Sequence, residues 1–364
     1  MNKDLTILFR GGISTYTGYG TALCSLVSEL TNYVDIALWG IDTSMGLPRE
    51  VTNILQKPIP QKIGIFVDFV TPFNAYGKFK NTYSILYSMV EQTGFTKNVD
   101  KELIKTYHKV ITTNPIARDV FGEVVGTNKV SVVPLGIDPR FWKYKKRKVG
   151  KRISFCTTGY MNKRKGVDLA VGAYRQVRGD YDCSLDIWNI NNAPMPKKWL
   201  EIPDLAIIER PTLKVGLRDF YYNHDVMLAV SRGEGFNLPA VEFLSTGGSV
   251  IGTAWAGHAM WMHENFAYPV KYKMIEVSSI SDIFPKNMQF IDENWLVKGN
   301  KWAEPEIDDI ISNMVRICEN PGELKEKMKN TKIIRKEFDI RKVAKHFLYE
   351  ILSKKEVKIN ELLK

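Results

Sequence analysis

The chain of 364 residues carries 51 lysines and arginines against 40 aspartates and glutamates, a formal net charge of +11. With 44% hydrophobic and 25% charged residues it has a soluble globular composition, which excludes disorder, collagen and coiled coil. At roughly 100–200 residues per domain, the length asks for about two domains.

Residues 5–9 form a short apolar run that ends at Arg10, too brief for a signal peptide or a membrane span. It reads as a buried strand, followed by a glycine-punctuated loop over residues 11–20. Leu23, Leu26, Val27 and Leu30 then recur at helical spacing. Further strand-like runs cover residues 34–39, 62–67, 84–90, 109–113 and 129–133, most with room for a helix between them. Strands alternating with helices predict a parallel, doubly wound sheet. Residues 143–152 hold seven cations and no acid, and are read as a linker and domain boundary.

Beyond the basic run the pattern begins again. Residues 153–158 read as a strand and Val167, Ala170, Val171 and Tyr174 as a helix stripe. Residues 184–188, 206–208, 226–230 and 250–253 read as further buried strands. The C-terminal stretch carries apolar residues at i, i+4 spacing from Val343 to Leu352 and opens on Asp339 as an N-cap. Cys24, Cys156, Cys183 and Cys318 are widely separated, with no partners at metal-ligand spacing. They read as buried thiols in a reduced, cytoplasmic protein, and no metal site is expected.

Chemistry concentrates where the strand over 226–230 ends. Arg232-Gly233-Glu234-Gly235-Phe236-Asn237-Leu238-Pro239-Ala240-Val241-Glu242 makes a strand, glycine turn and helix start, with Pro239 suited to the first helical position. Such a turn aims backbone N–H groups and a positive dipole end at the sheet's carboxyl edge, a setting that favours phosphate. Glu234 on the turn can accept from a pair of sugar hydroxyls, and Glu242 inside the helix can accept both hydroxyls of a ribose.

This Glu-x7-Glu stretch resembles the signature of the retaining GT-B glycosyltransferases, the nucleotide-sugar group called glycosyltransferase family 4. The segment Val133-Pro134-Leu135-Gly136-Ile137-Asp138 with Phe141 is similar to the family's end of the first domain. Gly159-Tyr160-Met161-Asn162-Lys163-Arg164-Lys165-Gly166 is similar to its phosphate loop, and Trp302-Ala303-Glu304-Pro305 to its closing segment.

The resemblance implies that Glu234 contacts the transferred sugar and Glu242 the nucleotide ribose, beside Gly235, Phe236, Asn237 and Leu238 in the donor site. Lys165 matches the family's diphosphate lysine. Tyr160 stands where the family has arginine, so Arg164 or Lys163 substitutes, or the phosphate is held differently. Gly12, Gly18 and Gly20 resemble the loop under the donor phosphates and beside the acceptor. Gly18-x-Gly20 is followed by Leu23 where a dinucleotide fingerprint wants a third glycine, which counts against an NAD enzyme. Glu91, at the end of the run over 84–90, resembles a catalytic segment facing the acceptor. Among the histidines, His258 is in a segment like the donor-side glycine loop.

The expected architecture is α/β of the GT-B kind: two Rossmann-like domains facing across a cleft, with the last helix crossing back to the first. It divides into an acceptor-side domain over 1–147, a nucleotide-sugar domain over 148–338 and the returning helix over 339–364. The expected activity is metal-independent, retaining transfer of a hexose-type sugar to an acceptor hydroxyl. No cofactor is implied beyond the co-substrate, a UDP-sugar by preference. The acceptor stays open among a glycan, a small molecule and a hydroxylated DNA base, and so does peripheral membrane contact. A competing reading, a non-enzymatic nucleic-acid binder, rests on Phe141-Trp142-Lys143-Tyr144-Lys145-Lys146-Arg147-Lys148, where aromatics interleave with cations.

Overall fold

The computed structural model describes residues 5–15, 17–43, 46–160, 162–190, 195–209, 214–277 and 297–353. Tyr16 and Met161, which belong to the two loops singled out above, lie outside the described residues. The chain divides into two compact units, one built from residues 1–90, 98–138 and 337–364, the other from 91–97 and 139–336.

The first unit runs β1 (Thr6–Ile13), α1 (Gly18–Leu30), β2 (Asp35–Thr43), α2 (Arg49–Leu55), β3 (Ile65–Phe69), β4 (Tyr83–Tyr87), α3 (Lys101–Lys105), β5 (Lys109–Thr112), α4 (Pro115–Val125) and β6 (Val130–Val132). The strands form one parallel sheet in the order β2-β1-β3-β4-β5-β6. Ile7, Leu8 and Phe9 are fully buried, as a continuous apolar run requires when both faces of a parallel sheet are covered. The stripe Leu23, Leu26, Val27 and Leu30 is the buried face of α1, as its spacing predicts.

The glycine loop is shorter than its sequence suggests. β1 continues past Arg10, because that guanidinium finds the buried Asp68 of β3 at 2.7 Å. Gly11 and Gly12 stay in the strand, opposite Gly40 and Asp42 of β2. Gly18 and Gly20 fall in the first turn of α1, where Thr17 caps the helix by accepting from the Gly20 N–H at 3.0 Å. Similarly, β4 stops at Tyr87, short of the predicted residue 90.

The second unit follows with β7 (Ile153–Gly159), α5 (Val167–Val177), β8 (Cys183–Asn189), α6 (Lys197–Leu200), β9 (Leu205–Glu209), α7 (Lys214–Tyr222), β10 (Val226–Ala229), α8 (Leu238–Ser245), β11 (Ser249–Thr253) and β12 (Ala267–Val270). A hairpin of β13 (Tyr272–Glu276) and β14 (Lys301–Pro305) comes next, then α9 (Ile307–Glu319), α10 (Pro321–Asn330) and α11 (Lys332–Glu337). The main sheet is again parallel, in the order β12-β11-β10-β7-β8-β9. The chain therefore builds outward from β7 in one direction, then from β10 in the other. The β7/β10 pair is the topological switch point, where open α/β sheets bind ligands at their carboxyl edge.

Residues 91–97 join this unit through its hairpin: Thr93 N–H donates to the Lys301 carbonyl at 3.2 Å, and Asn300 Nδ2 to the Phe95 carbonyl at 2.9 Å. The basic run over 143–152 is also part of it rather than a bare linker. Lys145 N–H donates to the Thr246 carbonyl at 2.9 Å, and the Arg147 guanidinium reaches the Tyr221 carbonyl at 2.8 Å.

The last helix, α12 (Ile340–Leu352), belongs to the first unit and is capped by Asp339. Its Phe347 lies against Phe9 and Tyr87, with ring centroids 5.8 and 5.9 Å apart. Lys109 of β5 donates to both the carbonyl and the carboxylate of Glu350, each at 2.6 Å, and Ser131 adds a third bond at 2.6 Å. Burial raises the proton affinity of Glu350, but the bonds from Lys109 and Ser131 outweigh it, and the carboxyl sits below its usual range. Lys109→Ala should lower unfolding stability by on the order of 3 kcal/mol in chemical denaturation, because it strands a part-buried carboxylate. The wild-type increment should be complete above the ordinary carboxylate pKa, about 4.3, and fall away as pH drops through the lower folded value. The variant should lack that acid-sensitive increment.

Candidate functional site

Two loops leave the carboxyl ends of the switch-point strands and meet. After β7, Asn162 caps a single tight turn at Lys163–Lys165, its Oδ1 accepting from the Lys165 N–H at 3.1 Å. Gly166 then turns the chain into α5 with φ +68°, and a Cβ there would stand 2.0 Å from the Val230 carbonyl oxygen. Only glycine meets both demands. After β10, Arg232 N–H donates to the Arg164 carbonyl at 2.7 Å, and Gly233 passes so close to the Glu91 carbonyl that a Cβ would lie 2.0 Å from it.

These close passages bring together four charged side chains. Glu234, 5% exposed, accepts from Lys165 Nζ at 2.6 Å and from Arg164 at 3.3 Å. The same Arg164 nitrogen donates to the Gly233 carbonyl at 2.6 Å and lies 3.2 Å from Glu91 Oε1. Burial alone would raise the pKa of Glu234, but Lys165 and Arg164 overcome it and hold the carboxyl at about 2. For Glu91 the balance goes the other way: desolvation, with repulsion from Glu234, leaves its pKa raised despite Arg164. The structure thus gathers Glu234, Lys165, Arg164 and Glu91 into one cluster within the second unit.

The other residues named from the sequence are placed differently. Phe236 and Leu238 are buried, and the Phe236 carbonyl accepts from the Trp261 indole at 2.8 Å. Gly235, beside Phe236, is buried as well. Asn237 caps α8 from φ +65°, which leaves Pro239 at the second helical position. Glu242 is buried in α8, and its charge adds to burial in raising the Tyr221 phenol. Gly12, Gly18 and Gly20 are in the first unit. Among the described residues, no group of three His, Cys, Asp or Glu side chains is arranged to hold a metal ion.

Arg232 is a residue whose part the sequence did not disclose. Almost fully buried, it forms a paired contact with Asp168 of α5, both bonds at 3.0 Å, and another with Glu304 of β14. Its guanidinium also donates to the Lys163 carbonyl. Burial opposes the charge, but Glu304 and Asp168 more than restore it, so its pKa is raised. Arg232 therefore ties the Lys163–Lys165 turn, the start of α5 and the hairpin into one support for the Glu234 cluster. Its carboxylate partners lie 64 and 72 residues away in the chain, a separation that no local spacing rule marks.

Of the three aromatics interleaved with the basic run, Phe141 and Trp142 are engaged within the fold, which takes two of the three rings from a base-stacking surface. Trp142 is buried against Tyr221, and Phe141 packs edge-on to Trp142 while receiving the Arg218 guanidinium.

His258 is buried behind the cluster. Its Nδ1 lies 2.8 Å from the Thr253 carbonyl and its Nε2 2.8 Å from Asn237 Nδ2. A carbonyl can only accept and an amide NH2 only donate, so the ring is neutral, with its proton on Nδ1. Burial drives its pKa down to about 4. Nuclear magnetic resonance should therefore find His258 untitrated above pH 5 or so. Because the folded pKa lies below the unfolded one, near 6.5, its increment to stability should be complete above pH 6.5 or so and shrink as pH falls toward 4.

No family model matches the chain, and no curated protein does. Solved structures do. HepE from Anabaena, crystallised with UDP and glucose, aligns at TM-score 0.61 and 10% identity over 96% of this chain and 100% of its own. Sucrose-phosphate synthase from Thermosynechococcus elongatus aligns at TM-score 0.65 and 12% identity over 96% and 99%. A glycosyltransferase from Rickettsia africae aligns at TM-score 0.64 and 12% identity over 97% and 100%. The chain has the α/β fold of these GT-B glycosyltransferases, with two parallel six-stranded sheets.

Proposed function

We propose that the second unit binds a nucleoside diphosphate-sugar, a UDP-sugar by preference, and that the protein transfers the sugar to an acceptor hydroxyl. The observation that carries this reading is the pair Lys165 and Arg164, held at the carboxyl edge of the switch point against a buried glutamate. Support comes from the shared fold, since HepE was crystallised with UDP-glucose.

In this reading Lys165, Arg164 and the positive end of α5 neutralise the leaving diphosphate as its charge develops. Preorganised charge of this kind needs no rearrangement at the moment of reaction. Arg164 takes the place of the arginine that Tyr160 does not supply. Glu234, kept ionised at neutral pH, is suited to accept from the sugar's hydroxyls, and Glu242 to accept from the ribose. Glu91 meets the same Arg164 nitrogen that faces Glu234 and steadies the guanidinium there. The resemblance to glycosyltransferase family 4 adds retention of configuration, with a phosphate oxygen of the leaving group taking the acceptor proton.

Calorimetry with UDP tests the assignment. Lys165→Ala should weaken UDP binding by about 1–3 kcal/mol, the worth of a charged hydrogen bond. Glu234→Gln releases Lys165 and Arg164 from competition, so it should bind UDP at least as tightly as the wild type while turnover of the UDP-sugar falls. Losing an interaction made mainly in the transition state lowers the rate constant rather than the affinity. Parallel losses of affinity and turnover in Glu234→Gln would contradict its place on the sugar, and absence of UDP binding by the wild type would remove the enzyme reading. Turnover should also persist in EDTA, and its loss there would overturn a diphosphate site that works without a metal ion.

A further inference from the structure

The basic run over 143–152 has no part in the donor site, yet one of its faces is concave. A cavity of about 460 Å3 lies between residues 144–149 and one side of α10. Five cations line it, Lys146, Arg147, Lys148, Lys325 and Lys329, against one acid, Glu326, which is paired with Lys329. The side chains of Lys146, Lys148 and Lys325 make no hydrogen bond or ion pair among the described residues. Arg147 is largely buried, and its guanidinium meets only neutral acceptors: the Tyr221 and Tyr222 carbonyls at 2.8 and 3.2 Å and the Thr246 hydroxyl at 3.0 Å. Its buried Nε has no partner. Desolvation accordingly lowers its pKa to about 10.

The remaining lining gives the cavity a shape suited to a small ligand. Val149 and Met328 are buried apolar residues, and Tyr144 lies beside them. Gly322 sits in the first turn of α10, and nothing lies within 4 Å of where its Cβ would stand, so no side chain fills that part of the cavity. Like charges gathered round one cavity repel, and an anion of high charge density relieves that repulsion. A single phosphate group brings about −1.5 to −2, so two match the excess. The volume is in the range of small-molecule sites, about 300–1,000 Å3, and two of the three aromatics beside the basic run, Phe141 and Trp142, are engaged within the fold rather than free to stack a nucleic-acid strand.

We propose that this cavity binds a small soluble anion carrying two or more phosphate groups, at a site separate from Lys165 and Glu234. Inorganic tripolyphosphate is the probe, titrated by calorimetry into the full chain at moderate salt. Binding should weaken by at least about tenfold in the double variant Lys146→Glu, Lys325→Glu, and should weaken with rising salt. Gly322→Phe, which fills the cavity and keeps every cation, should weaken it to a similar degree, so the test survives if the charge reversals fail to fold. Lys165→Ala should leave this binding unchanged. The proposal is overturned if the wild type does not bind tripolyphosphate, or if binding is lost in Lys165→Ala and kept in the cavity variants. Duplex DNA or anionic phospholipid vesicles binding through Lys146 and Lys325 where tripolyphosphate does not would also overturn it, by showing a macromolecular surface instead.

Discussion

A carboxylate kept from water must be met by positive charge, and Glu234 is met by Lys165 and Arg164 on a neighbouring loop. Much of the second unit's local geometry serves that encounter. Gly166 and Gly233 let two backbones approach where no side chain fits. Arg232, a buried cation between Asp168 and Glu304, is the electrostatic counterpart: a positive charge met by two carboxylates where Glu234 is a negative charge met by two cations. Arg232 fixes the turn that carries Lys165, so the two networks stand or fall together. Removing one member of either leaves a buried charge uncompensated, which costs more than the lost bond itself.

How far this could be read from the chain depended on how local each signal is. Buried parallel strands announce themselves as apolar runs, so β1, β7, β8, β10 and β11 were legible, with ends displaced by a residue or several. β1 ran longer than its apolar stretch because Asp68, on another strand, accommodates Arg10. β12 and the hairpin escaped the strand reading. Their sequences alternate too weakly, whereas Ile310, Met314 and Ile317 of α9 form a buried stripe at helical spacing. Lys165, Arg164 and Glu234 of the cluster, like Glu242 of α8, lie in short motifs with a mechanism attached. The clamp on Arg232 is made entirely of long-range partners and has no such signature. Glu91 was visible as a carboxylate after a strand, but its membership of the second unit follows from hydrogen bonds to Lys301 and Asn300 that no pattern near residue 91 foretells.

The basic run shows the same limit from the other side. Its charge was plain, and its interleaved aromatics suggested a stacking platform, yet Trp142 serves the core and Arg147 bonds to main-chain carbonyls. Composition counts charges without saying which are balanced. In the Glu234 cluster every cation has a carboxylate within 3.3 Å, whereas beside α10 Lys146, Lys148 and Lys325 have none among the described residues. Balanced charge at a switch point holds a site ready, and unbalanced charge round a cavity leaves electrostatic energy for a ligand to release.

The central claim is that the Lys165–Arg164 pair exists for a diphosphate and that Glu234 holds it in readiness. A crystal structure with UDP bound tests this most directly. The account predicts diphosphate oxygens within hydrogen-bond distance of Lys165 Nζ and the Arg164 guanidinium, with the Arg232 clamp on Asp168 and Glu304 unchanged. UDP seated elsewhere, with the Lys165–Glu234 and Arg164–Glu234 bridges undisturbed and no phosphate beside them, would contradict it.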